Sequence, residues 1–172
     1  PGYGVALLND GKYGHGALGN VLGISLLRSP MYPDPSADEG PHQFTYSLFP
    51  HPGDWTEAGV VEEAFALNSP LVAVPGSASA GEMGFVSVEG LKLALGSLKR
   101  AEDGRGVILR LYEPHGARGT SVLRFAWEVL DAERVNLLEE SAGGSVAIEG
   151  GAVRLEVRPF EVVSLRLGLR AG

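Results

Sequence analysis

Apolar and polar residues alternate with a period of two through most of the second half of the chain. Val107, Leu109 and Leu111 interleave with Ile108, Arg110 and Tyr112, and Leu123, Phe125 and Trp127 with Val122, Arg124 and Ala126. The same pattern returns in Val153, Leu155 and Val157 against Arg154, Glu156 and Arg158, and in Val163, Leu165 and Leu167 against Ser164 and Arg166. Successive side chains of a strand point to opposite faces, so one apolar and one polar face predict half-buried antiparallel strands. Asp103-Gly104, His115-Gly116 and Gly143-Gly144 punctuate these runs at the spacing of sandwich turns.

The first half is less regular. Val5–Leu8 and Val21–Leu27 are apolar, β-compatible runs joined by a glycine-rich turn, and Phe44–Phe49 alternates like a strand. Pro30, Pro33, Pro35, Pro41, Pro50 and Pro52 exclude a helix from this region, because proline lacks the N–H donor and restrains the residue before it. One helix is predicted, capped by Asp54 or Thr56 and running to about Leu67. Val61, Ala64, Phe65 and Asn68 would share a face, and Pro70 would stop it. Regular strands begin at Phe85–Val88, which places a boundary between Met83 and Gly90 and divides the chain into 1–84 and 85–172. The fold class predicted is mainly β: antiparallel β-sandwiches with one short α-helix.

Composition narrows the function. With 44% hydrophobic and 20% charged residues the chain can build a core, and 25 glycines and 11 prolines suit many short strands joined by turns. The net charge of −7 offers no basic excess to neutralise phosphates, so nucleic acid and anionic membranes are poor partners. No apolar run approaches the roughly 20 residues of a membrane span. Cysteine is absent, which excludes disulfides and thiolate metal sites and suits a reducing compartment; a cytoplasmic location is expected. The chain opens on Pro1 rather than Met and carries no charged-then-apolar signal, which reads as a piece of a longer protein.

Few motifs carry chemistry of their own. Gly14-His15-Gly16-Ala17-Leu18-Gly19 matches a dinucleotide pattern, but that site needs a strand before it, a helix after it and βαβ alternation, so a turn between strands is the better reading. His15, His42, His51 and His115 lie far apart without helical i, i+4 spacing and read as surface or loop residues; no metal site is expected. Asp34, Asp38 and Glu39 cluster in a proline-rich loop where solvation accounts for them. Glu62-Glu63 and Glu139-Glu140 read as solvated faces. No serine or cysteine is set for covalent acyl chemistry, and no catalytic residue is assigned.

What remains is Asn9, Asp10, Lys12 and Tyr13, with Arg28. Carboxamide, carboxylate and guanidinium groups pair with vicinal hydroxyls, and a tyrosine offers a flat face to a pyranose, so these residue types suit sugar binding. The alternative is structural: Asp10-Gly11 as a turn, Lys12 solvated and Arg28 paired with an acid.

Leu7-Leu8-Asn9-Asp10-Gly11-Lys12-Tyr13-Gly14, followed by Leu26-Leu27-Arg28-Ser29-Pro30-Met31-Tyr32-Pro33-Asp34-Pro35, resembles the C-terminal β-region of the α-mannosidases of glycoside hydrolase family 38. Lys99-Arg100-Ala101-Glu102-Asp103-Gly104, leading into Leu109-Arg110-Leu111-Tyr112-Glu113, resembles the small sandwich that ends those enzymes, as does the closing Pro159-Phe160-Glu161-Val162. The resemblance implies that 1–84 is the tail of a larger, mutarotase-like β-sandwich and 85–172 a small C-terminal sandwich. It implies a parent enzyme that hydrolyses α-mannosides with retention, using zinc and carboxylates held in an N-terminal catalytic domain. The partners implied are that domain and an α-mannoside glycan, with Asn9, Asp10, Lys12, Tyr13 and Arg28 at the rim of the sugar site. No cofactor is expected in this stretch, which alone should be inert. Cutting a larger sandwich at Pro1 should leave Val5–Leu8 and Val21–Leu27 without partners, favouring a homo-oligomer. If the strands carrying Asp10 and Arg28 pair, the two side chains should meet near Tyr13. An independent carbohydrate-binding or adhesion sandwich is the alternative from a different class.

Overall fold

The structure, a computed structural model, describes residues 2–76 and 83–170. It is built almost wholly of antiparallel strands with one helix, and its contacts divide it into two compact units, Pro1–Val74 and Pro75–Gly172. Residues 71–76 belong to no helix or strand.

The first unit holds β1 (Tyr3–Asn9), β2 (His15–Leu18), β3 (Val21–Ile24), β4 (Tyr46–Pro52) and α1 (Val60–Asn68). β1 pairs with β4 and β2 with β3, giving two separate two-stranded sheets. The glycine-rich stretch expected as a turn thus contains a strand of its own, since Leu18 and Val21 pair across Gly19-Asn20. One face of the β1–β4 ribbon carries Ala6 and Leu8 opposite Phe49 and Ser47; the other carries Val5 and Leu7 opposite Pro50 and Leu48. Gly4 faces His51, whose ring would collide at 2.4 Å with any side chain added there, so glycine lets the imidazole lie flat on the strand. His51 is therefore buried, against the expectation of a surface histidine.

α1 is shorter than predicted. Asp54 caps the turn before it, accepting from Thr56 N and Thr56 Oγ1, and Gly59 at φ 74 resets the chain before Val60 begins the helix. Val60, Val61, Ala64 and Leu67 form its partly covered face; Phe65 is exposed, because the face is offset from the one predicted. Asn68 donates from Nδ2 to the backbone oxygen of Asn9 at 3.0 Å and so ties the helix to the end of β1.

The second unit is a complete sandwich. Its strands are β5 (Val86–Gly90), β6 (Ala94–Arg100), β7 (Val107–Tyr112), β8 (Gly119–Phe125), β9 (Glu128–Val135), β10 (Ser141–Ser145), β11 (Ile148–Glu149), β12 (Ala152–Val157) and β13 (Val162–Arg170). One sheet runs β10-β9-β13-β7-β6 and the other β11-β12-β8-β5. Leu109, Leu111, Leu165 and Leu167 from the first meet Leu123, Val153, Leu155 and Val157 from the second, all buried. The alternation in β12 is realised residue by residue, with Arg154 and Glu156 exposed between buried neighbours. Ile108 is buried on the far side of its sheet with Ala101 and Val135, so that strand is covered on both faces.

Two carboxylates lock the loops of this unit. Glu113 is buried and accepts from His115 N and Gly116 N at 2.8 Å and from Phe160 N at 3.0 Å. Glu139, expected on a solvated face, is also buried: it pairs with Lys99 Nζ at 2.7 Å and accepts from Glu102 N at 2.8 Å. Lys99 and this peptide N–H hold the Glu139 carboxyl below its ordinary range. The Lys99–Gly104 motif is thus a fold device, closing the β6–β7 turn onto the neighbouring β9–β10 turn.

Candidate functional site

The site residues predicted in the first unit separate into two groups. Asn9 ends β1, and its Oδ1 accepts from Gly11 N at 2.9 Å and from Lys12 N, an Asx-type turn in which the side chain replaces a backbone acceptor. Its Nδ2 lies 3.1 Å from His15 Nε2. Asp10 accepts from Thr45 N through Oδ2 at 2.8 Å, and its own N–H donates to Thr45 O. The Thr45 N–H, with help from the Thr45 hydroxyl, holds the Asp10 carboxyl below the ordinary value. Asn9 and Asp10 are therefore engaged in shaping the loop that projects the next residues.

Lys12, Tyr13 and Arg28 come together along an open groove of about 850 Å³, with Leu27, Asp38 and His42 beside them. Gly14 O accepts from Ser25 N at 2.8 Å and so holds the two walls in register. Lys12 Nζ sits 4.8 Å from the centre of the Phe44 ring, where the π face attracts a cation. Tyr13 is 94% exposed. Arg28 makes no hydrogen bond or ion pair among the described residues, so its guanidinium is available to a ligand. Asp38 accepts from Ser29 N at 2.6 Å, and His42 Nε2 lies 2.9 Å from Asp38 O, so the proline-rich loop is folded back against the Arg28 segment.

The Asp10–Arg28 meeting does not occur through strand pairing. β1 takes β4 as its partner and β3 takes β2, so the two residues follow strands of different sheets, and no ion pair joins them among the described residues. Asp38 and His42 are the groove residues that pattern reading missed. The only signal for them was the acidic loop cluster, and nothing local says that this loop returns to Arg28.

The surface of the first unit is unusual for a folded layer. Among its described residues Leu8 is the only buried apolar side chain, while Tyr3, Val5, Leu18, Val21 and Leu48 are exposed. Val5–Leu8 and Val21–Ile24 have strand partners, but the open faces of both sheets remain apolar. No group of three His, Asp or Glu side chains among the described residues is placed to hold a metal ion.

Fold and groove together define a mainly β region: a two-sheet sandwich and a β-layer that carries a polar and aromatic groove. Comparison with known proteins agrees. Residues 1–36 match the model of the glycosyl hydrolases family 38 C-terminal domain, and residues 92–165 that of the family 38 C-terminal beta sandwich domain. The chain is 41% identical over 175 residues to human alpha-mannosidase 2C1, covering 98% of this chain and 17% of that protein. It is 33% identical to alpha-mannosidase G of Dictyostelium discoideum and 29% identical to an alpha-mannosidase of Saccharomyces cerevisiae, covering 95% of this chain and 16% and 17% of theirs. This chain belongs to the C-terminal β-region of glycoside hydrolase family 38, and it spans about a sixth of the length of the curated relatives it matches. Lys12, Tyr13 and Arg28 all lie within the first matched segment.

Proposed function

We propose that this chain is the non-catalytic C-terminal portion of a retaining, zinc-dependent α-mannosidase. In this reading it braces the catalytic domain of the same polypeptide and lends Lys12, Tyr13 and Arg28 to the rim of the site for an α-mannoside glycan. The observation that carries it is that Arg28, without a hydrogen bond or ion pair among the described residues, lies beside exposed Tyr13 in one groove, inside the segment shared with the family. Arginine gives a sugar paired, directional donors, and tyrosine covers the apolar face of the ring. Asn9 and Asp10 act one step back by fixing the loop that carries Lys12 and Tyr13.

In this reading the metal and the two carboxylates of a retaining mechanism lie in another part of the polypeptide. The thin first unit favours this reading over a free-standing sugar-binding module, because an independent domain needs a core and this layer buries one apolar side chain among its described residues. A reducing, cytoplasmic setting suits a chain with no cysteine. No described helix is long and apolar enough to cross a membrane. If this chain is made alone, pairing of its open apolar faces as a homo-oligomer is the expected way to cover them.

An aryl α-mannoside assay tests the assignment. The longer polypeptide should hydrolyse it in a zinc-dependent manner, whereas the 172-residue chain should give no turnover with or without added zinc. Turnover by the 172-residue chain, or none by the longer polypeptide with zinc bound, would overturn it.

A further inference from the structure

The loop between β9 and β10 presents two leucines to water on a stiff support. Leu137 and Leu138 are 68% and 77% exposed, although each is flanked by residues held in place. Asn136 Oδ1 accepts from Leu138 N at 2.8 Å and Glu140 N at 3.0 Å, and Asn136 Nδ2 donates to Glu140 Oε2 at 2.9 Å. The backbone closes the same loop, with Asn136 N donating to Glu140 O and Glu139 N to Asn136 O. Glu139 adopts φ 66, a conformation costly for a residue with a side chain. It is held there by Lys99 and the Glu102 N–H on one side, while Arg166 Nη2 donates to its backbone oxygen at 2.8 Å. The contacts that join the two turns therefore also fix the loop that carries the leucines. Holding apolar side chains in one fixed orientation lowers the ordering cost of a contact, as at interface hot spots.

We propose that the Leu137–Leu138 tip is a docking plug that seats in an apolar socket on the remainder of the same polypeptide. The proposal rests on the reading that this chain is part of a longer enzyme. The area selects the occupant. Two leucines supply only a small part of the ~800 Å² per partner that a stable bimolecular interface buries. A tethered partner is present at high effective concentration and needs no such area. The relatives carry about five-sixths of their length outside the matched stretch, which supplies that tethered partner. Glu140 borders the tip, so the socket should carry a basic or hydrogen-bond-donating group at its rim.

A photo-crosslinking amino acid placed at Leu137 in the longer polypeptide should crosslink within one copy to a segment outside these 172 residues. The same probe at exposed Glu62 serves as the background. The double variant Leu137→Ser, Leu138→Ser should leave the melting temperature of the 172-residue chain unchanged and lower that of the longer polypeptide by about 3 °C or more. Crosslinks between two copies, crosslinks no stronger than from Glu62, or equal melting shifts in both contexts would overturn the proposal. Absence of α-mannosidase activity in the unsubstituted longer polypeptide would instead sink the family function and leave the crosslinking result to be judged separately.

Discussion

Replacing Glu113 by alanine should cost the second unit about 3 kcal/mol or more. The carboxylate is 1% exposed and accepts from the backbone N–H groups of His115, Gly116 and Phe160 among others. Alanine removes the acceptor and leaves these donors stranded at about 1 kcal/mol each or more. They join the loop after β7 to the turn before β13, so the shared end of the central β7–β13 pair loosens. For a unit of this size 1 kcal/mol shifts the melting temperature by about 4–8 °C, so a fall of at least ~12 °C is expected. Near-ultraviolet circular dichroism reports the right unit, because Trp127 packs edge-on against Phe85 at 5.1 Å. Glutamine keeps one acceptor oxygen and should fall between wild type and alanine. Acid gives a second reading. Burial pushes the Glu113 carboxyl up, but the N–H groups of Phe160, His115, Ala117 and Gly116 outweigh it and hold the group below its usual value. A depressed folded-state pKa contributes stability that is present above the unfolded value, about 4.3, and lost as the pH falls through the folded one. Glu113→Gln should therefore flatten the acid limb of the stability profile. An alanine variant melting within about 2 °C of wild type, or a glutamine variant with an unchanged acid limb, would refute the assignment.

Two further outcomes are expected of the same sandwich. Gly106→Ala should destabilise it by about 2 kcal/mol or more, because Gly106 has φ +84 and an added Cβ would meet Leu167 O at 2.5 Å; a chemical-denaturation midpoint unchanged by the substitution would contradict this. Asp103 titrates at about 2, held down by Arg105 N–H and, against burial, by the Arg166 and Arg105 guanidiniums, so its contribution to stability should fade as the pH drops from about 4 towards 2. Urea midpoints of Asp103→Asn should show a shallower fall over that window than wild type, and parallel curves would contradict it.

The parts of the fold legible in the sequence are those where one force dominates. β12 and β13 lie between a sealed core and a polar face, so burial alone writes period two into them. β9 escaped because its outward positions include Asp131 and Glu133 and because a register shift against Gly168 and Leu169 breaks the alternation. Glu139 escaped because its role is set by Lys99 and Glu102, far away in sequence. The helix start was misplaced because Asp54 satisfies a preceding turn, a local competition that cap residues often win for the turn. In the groove, Lys12, Tyr13 and Arg28 were legible through residue type and motif. Asn9 and Asp10 also shape the loop, a role their residue types do not distinguish from sugar binding, because the same carboxamide or carboxylate serves both. Asp38 and His42 depend on how a proline-rich loop folds back, which no local pattern encodes.

The most direct test of the functional account is the steady-state rate of the longer polypeptide carrying Arg28→Ala, measured on an aryl α-mannoside alongside its zinc content. Arg28 makes no hydrogen bond among the described residues and lines the groove with Lys12 and Tyr13. Losing charged hydrogen bonds to a substrate hydroxyl should lower kcat/KM by roughly 10-fold or more, with zinc content and melting temperature unchanged. An Arg28→Ala enzyme with normal kcat/KM would contradict the account and leave the groove a surface feature of a purely structural region.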